Sequence, residues 1–117
     1  MQTGKIVDER ILEISQKVTQ AAKDTLGKKL EKVILYGSYA RGDFDADSDV
    51  DFFVLADVPQ KDAGKWRDNI NSLLPNIDLD FDILVSIKVT GREIFHQYRE
   101  VLPFYANILK DGVVLYD

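Results

Sequence analysis

The chain has 117 residues, 45% hydrophobic and 30% charged, which suits one compact domain spanning 1–117 and is too apolar for a disordered chain. It has no cysteine and a single histidine, His96, which excludes disulfide frameworks, thiolate chemistry and multi-histidine zinc sites and leaves oxygen as the main ligand for any metal. The formal charge of -5 is uneven, since residues 1–32 carry seven Lys or Arg against five Asp or Glu and residues 33–117 carry eight against fifteen, which argues against direct nucleic-acid binding.

No apolar stretch approaches the roughly 20 residues that cross a bilayer, and the first residues lack a signal-peptide pattern, so a cytoplasmic location is expected. From Ile6 to Leu26 apolar residues recur at three- and four-residue steps, which predicts an amphipathic helix stopped by Gly27. Val33-Ile34-Leu35-Tyr36 and Val50 to Leu55 read as two buried strands. Pro59 to Ala63 reads as a turn, and Trp66, Ile70, Leu73 and Leu74 mark a short helix closed by Pro75. Leu79 to Ile87 reads as a third strand. One or two helical segments follow Thr90-Gly91, Gly112 breaks them, and Val113 to Tyr116 is a short final strand. The order predicts a mixed α/β sandwich with helices packed on one sheet.

Chemistry concentrates in residues 37–52, where Asp stands at 43, 45, 47, 49 and 51. In an extended chain Asp49 and Asp51 share a face, roughly 7 Å apart, and that spacing invites a cation. A hard divalent ion takes oxygen ligands and shares them with substrate phosphates, so the pair reads as half of a phosphate-directed metal site. A solvated acidic loop is the bland alternative, and it suits Asp43, Asp45 and Asp47. Asp49 and Asp51 instead run straight into Phe52, Phe53 and Val54, where unpaired charge is costly. Gly37-Ser38, directly after another apolar strand, offers free amides and a hydroxyl for phosphate oxygens. A calcium-binding EF-hand frame from Asp43 fails, with Ser48 at the glycine position and Val54 at the glutamate position. A third carboxylate would come from Asp78-Leu79-Asp80-Phe81-Asp82, with Asp82 favoured, Asp80 the alternative and Asp78 read as solvated.

Gly37-Ser38, ten intervening residues and Asp49-Val50-Asp51, with Ala40-Arg41-Gly42 between, resemble the minimal nucleotidyltransferases of the DNA polymerase beta superfamily. The likeness extends over the leading helix, the strand before Gly37, the strand with Asp82 and the ending from Ile108 to Tyr116. It implies an α/β (α+β) fold, with a mixed sheet and flanking helices, that transfers a nucleoside monophosphate, AMP from ATP, to a hydroxyl. It also implies that Gly37 and Ser38 hold the triphosphate, that Asp49, Asp51 and Asp82 bind two magnesium ions, and that Asp82 draws the proton from the attacking hydroxyl. Arg41 offsets charge on the nucleotide or pairs with neighbouring aspartates; the residues leave both open. The resemblance further implies a HEPN-domain partner in a toxin-antitoxin pair, and so a hetero-oligomer. Two rival readings stand beside it: a binding module that masks a partner, and transfer to a small molecule such as an aminoglycoside, against which the lack of a second domain counts.

Overall fold

Residues 8–117 are described by the structure, a computed structural model, and they form four strands, six α-helices and two short 3-10 turns. Helix α1, Glu9–Leu26, starts where the Asp8 carboxylate accepts the amides of Arg10 (2.9 Å) and Ile11 (3.3 Å). It stops at Gly27, whose φ of 54° suits a residue without a side chain. Ile6 and Val7, at the predicted start, lie outside the described residues. The apolar stripe of α1 buries Ile11, Ile14, Val18, Ala22 and Leu26, while Leu12 turns outward.

Strands β1 (Leu30–Tyr36), β2 (Val50–Ala56), β3 (Val85–Gly91) and β4 (Val113–Tyr116) form one sheet in the order β3-β2-β1-β4. β1 is antiparallel to β2 and β4, and β2 is parallel to β3, so the sheet is mixed as expected. Helix α2 is the single turn Ser38–Arg41 after β1, and α3 spans Ala63–Ser72. α5 (Arg92–Tyr98) and α6 (Pro103–Asp111) follow β3.

Alternation along β2 divides the core. Val50, Phe52, Val54 and Ala56 pack with α1 and with Ile70 of α3 on one face. Phe53 and Leu55 pack with Phe95, Tyr105 and Ile108 on the other. Phe52 and Phe53 are fully buried, each worth about 2–3 kcal/mol of transfer free energy. This anchorage on both faces fixes the register of β2, and therefore where Asp51 lies.

The strand predicted over Leu79–Ile87 begins only at Val85, because Ile77–Phe81 folds as helix α4. Pro75 and Asn76, the latter at φ 63°, redirect the chain after α3, and Ile77 and Phe81, four apart on one helix face, both reach the core. Leu79, the first residue of the predicted strand, is 80% exposed on α4. Asp78, read as solvated, instead accepts the Val85 amide through Oδ1 at 2.9 Å and so ties α4 to the start of β3.

Candidate active site

The β1–β2 register sets Tyr36 opposite Asp51, so the segment 37–49 leaves and re-enters the sheet at one place. Gly37 turns the chain with φ 79°, and its carbonyl accepts the amides of Ala40 and Arg41 at 3.1 Å. The first amides of α2, those of Ser38 and Tyr39, find no acceptor within the turn. A side-chain carbon on Gly37 would stand 2.6 Å from Asp51 Oδ2. Glycine is therefore required twice, for the positive φ and for the closeness of the carboxylate to the backbone.

Asp51 is half-buried, and its carboxyl is pushed above the ordinary value by burial and then by the Asp49 charge, with Arg41 acting in the opposite direction. Two like charges, one of them partly desolvated, form a donor set that a divalent cation fits, because its charge relieves both effects. Burial, and then Asp51, push the Tyr36 hydroxyl up to about 12, so the phenol keeps its proton at neutral pH. Arg41 pairs with Asp43 at 3.1 Å in an exposed bridge, one of the two roles the sequence left open, and its charge acts on the Asp51 carboxyl as well.

Of the remaining loop carboxylates, that of Asp45 is occupied with the loop itself. Asp45 Oδ1 accepts the Asp47 amide at 2.9 Å and the Ser48 hydroxyl at 3.3 Å, and the Asp45 amide donates to Ser48 Oγ at 2.9 Å. Tyr39 stacks on Phe44 with ring centroids 4.3 Å apart and also meets the core.

Asp82 follows α4 in the left-handed region (φ 52°, ψ 47°) and is exposed. It shares a cleft of about 790 Å³ with Asp49, Asp78, Tyr39 and Phe44. Among the described residues no three His, Cys, Asp or Glu side chains gather to hold one ion, so the predicted set Asp49, Asp51 and Asp82 is not assembled as a metal centre. The reason is the late start of β3: Asp82 lies on the turn before the strand, and the β3 residue in register with Asp51 is Ser86. Asp80, the alternative, lines a separate groove between α1 and α4. Sequence reasoning missed Ser86, because a serine within a strand carries no signal until the register is known.

A family model described as a nucleotidyltransferase domain matches residues 15–113. A Methanocaldococcus jannaschii protein provisionally named a protein adenylyltransferase is 31% identical over 96 residues, covering 82% of this chain and 88% of the relative. A second protein of that organism, named likewise, is 40% identical over 76 residues, covering 65% and 75%. The fold is shared with a provisionally named nucleotidyltransferase from Sulfolobus solfataricus, with TM-score 0.58 and 18% identity over 100% of this chain and 92% of that one. It is shared also with a toxin-antitoxin structure crystallised with AMP-PNP, with TM-score 0.54 and 21% identity over 87% and 72%.

Proposed function

The chain belongs to the nucleotidyltransferase domain family, and from that premise we propose that it transfers AMP from ATP to a hydroxyl on a partner protein. The observation that carries the reading is the Asp51 carboxylate, pressed against the Gly37 backbone beside Asp49 and left partly desolvated. Asp49 and Asp51 are the residues that would hold magnesium, which when bound supplies charge neutralisation for the phosphates. The free amides of the Gly37–Ser38 turn and the Ser38 hydroxyl orient the triphosphate tail, and Arg41 moderates the local charge.

The acceptor oxygen forms its bond to the α-phosphorus as the bond to the β-phosphate oxygen breaks, and pyrophosphate leaves. Asp82, which shares a cleft with Asp49, takes the proton of the attacking hydroxyl. A protein acceptor is supported by the names of the relatives, and a toxin-antitoxin partner, of the HEPN-domain kind that the sequence resemblance implies, by the structural neighbour.

The test is labelling with magnesium and α-phosphate-labelled ATP in a lysate of the host lacking the gene. A labelled protein band is expected, and Asp49→Asn or Asp51→Asn should abolish it; a band that survives both substitutions overturns the assignment. A second reading, a module that masks its partner without chemistry, rests on the place of Asp82, on the turn before β3 and not in register with Asp51. On that reading partner binding and neutralisation persist in both variants, and no band forms with the unaltered protein.

A further inference from the structure

A further cavity of about 480 Å³, which no step above uses, is lined by Ser86, the β3 partner of Asp51 in the sheet, and by Tyr36, its β1 partner. Its floor is β3, where Ser86, in register with Asp51, and Lys88 alternate with the buried Ile87 and Val89 and so lie on the Asp51 face of the sheet. Arg67 of α3 forms one wall, and Tyr36 and Phe104 close another. The walls are held in place. The Gly91 amide donates to Gln60 Oε1 at 2.7 Å, pinning the turn before α3 to β3, and Phe104 meets Tyr36 edge-on at 5.5 Å. Lys88 Nζ stands 5.4 Å from the Phe104 ring centre and pairs with no carboxylate of the described residues, while Arg67 pairs only with its exposed neighbour Asp68. Two cations thus face an open space in a chain whose net charge is -5.

The strand order says which reactant this space receives. In-line displacement puts the attacking oxygen and the leaving pyrophosphate on opposite sides of the α-phosphorus. The Gly37–Ser38 turn, assigned to the triphosphate, follows β1, and β1 and β3 flank β2 on opposite sides. With the leaving group over β1, the attacking hydroxyl enters over β3. Resting on the transferase reading above, we infer that the cavity over β3 is the acceptor subsite and that Lys88 and Arg67 select an acceptor segment with acidic residues beside its hydroxyl. The acidic flanks of the segment rest over β3, away from the Asp49 cleft with its Asp45, Asp47 and Asp78, and only the hydroxyl reaches toward Asp82 in that cleft.

The probes are three fluorescein-labelled decapeptides with a central Ser-Tyr pair flanked by glutamates, by glutamines or by lysines, titrated by fluorescence polarisation with magnesium and a non-hydrolysable ATP analogue present. The net charge of the chain alone favours the lysine peptide, so preference for the glutamate peptide is the supporting result. Lys88→Gln with Arg67→Gln, both at exposed positions, should weaken the glutamate peptide about tenfold, roughly threefold per cation. Binding of the ATP analogue should stay unchanged. Preference for the lysine or glutamine peptide overturns the inference, as does failure of any peptide to bind. Weakened binding of the ATP analogue in the double variant also overturns it, by assigning the cavity to the nucleotide. In the lysate assay, label that persists at full strength in the Lys88/Arg67 variant but vanishes in Asp49→Asn sinks the acceptor subsite alone; label indifferent to Asp49→Asn sinks the transferase reading.

Discussion

Asp51 is held in a place that works against its own ionisation, with stability and activity set in opposition. Because burial and the Asp49 charge raise its carboxyl, the folded chain holds that proton more tightly than the unfolded chain does. The associated stability is complete below the ordinary carboxylate range and is lost as pH rises through the raised value. Asp51→Asn removes the charge, so it should raise the melting temperature at pH 7, leave it nearly unchanged near pH 3, and abolish nucleotidyl transfer. Melting curves at the two pH values check the sign, and a variant no more stable at pH 7 contradicts it. Gly37→Ala tests the same contact from the backbone side, since the new carbon meets Asp51 Oδ2 and φ is 79°. The expected cost is about 1–3 kcal/mol in chemical denaturation. Displacement of Asp51 should lower magnesium-dependent pyrophosphate release by about 100-fold.

Among the elements, those with one dominant pattern were legible and the one with two was not. The stripe from Ile11 to Leu26, the run Val50 to Leu55 and the breakers Gly27 and Pro75 each favour a single conformation, and the structure follows them. The stretch Ile77-Asp78-Leu79-Asp80-Phe81-Asp82 satisfies period two, yet it also places Ile77 and Phe81 on one helix face. Tertiary burial of that pair decides for the helix, and no local signal does. The pairing of Gly37 with Asp51 follows from motif and strand order, whereas Ser86, Lys88 and Arg67 come together only through register and the seating of α3. Asp78 bears directly on that register through its bond to the Val85 amide. Asp78→Ala should lower stability by about 1–2 kcal/mol by leaving the amide without its partner. Asp78→Asn, whose side-chain carbonyl can accept the same bond, should recover part of the loss in a urea titration.

For the whole molecule, the imbalance of charge predicts a specific response to divalent ions. Residues 33–117 carry eight Lys or Arg against fifteen Asp or Glu, and Asp49 and Asp51 concentrate two of those charges at one strand end. Magnesium at about ten times its dissociation constant should stabilise the fold by about 1.4 kcal/mol, a shift of several degrees for a chain of this size. Sodium chloride at matched ionic strength should not reproduce the shift, and Asp49→Asn should remove most of it. An equal shift in that variant would assign the ion to another part of the acidic surface. No helix of the described residues is long and apolar enough to cross a membrane.

Tyr36 and Asp51 face each other across adjacent antiparallel strands, and everything between them is one connection that departs from and returns to the same rung of the sheet. Its two ends are anchored by the buried strands, while residues 43–47 between them are exposed. The entropy of closing such a connection grows only slowly with its length. Its middle can therefore be lengthened, shortened or recharged while both ends keep their positions. The fold thereby separates inheritance of the chemistry from inheritance of the rim around it: descendants of this chain can exchange the loop and meet new clients with the reacting groups undisturbed.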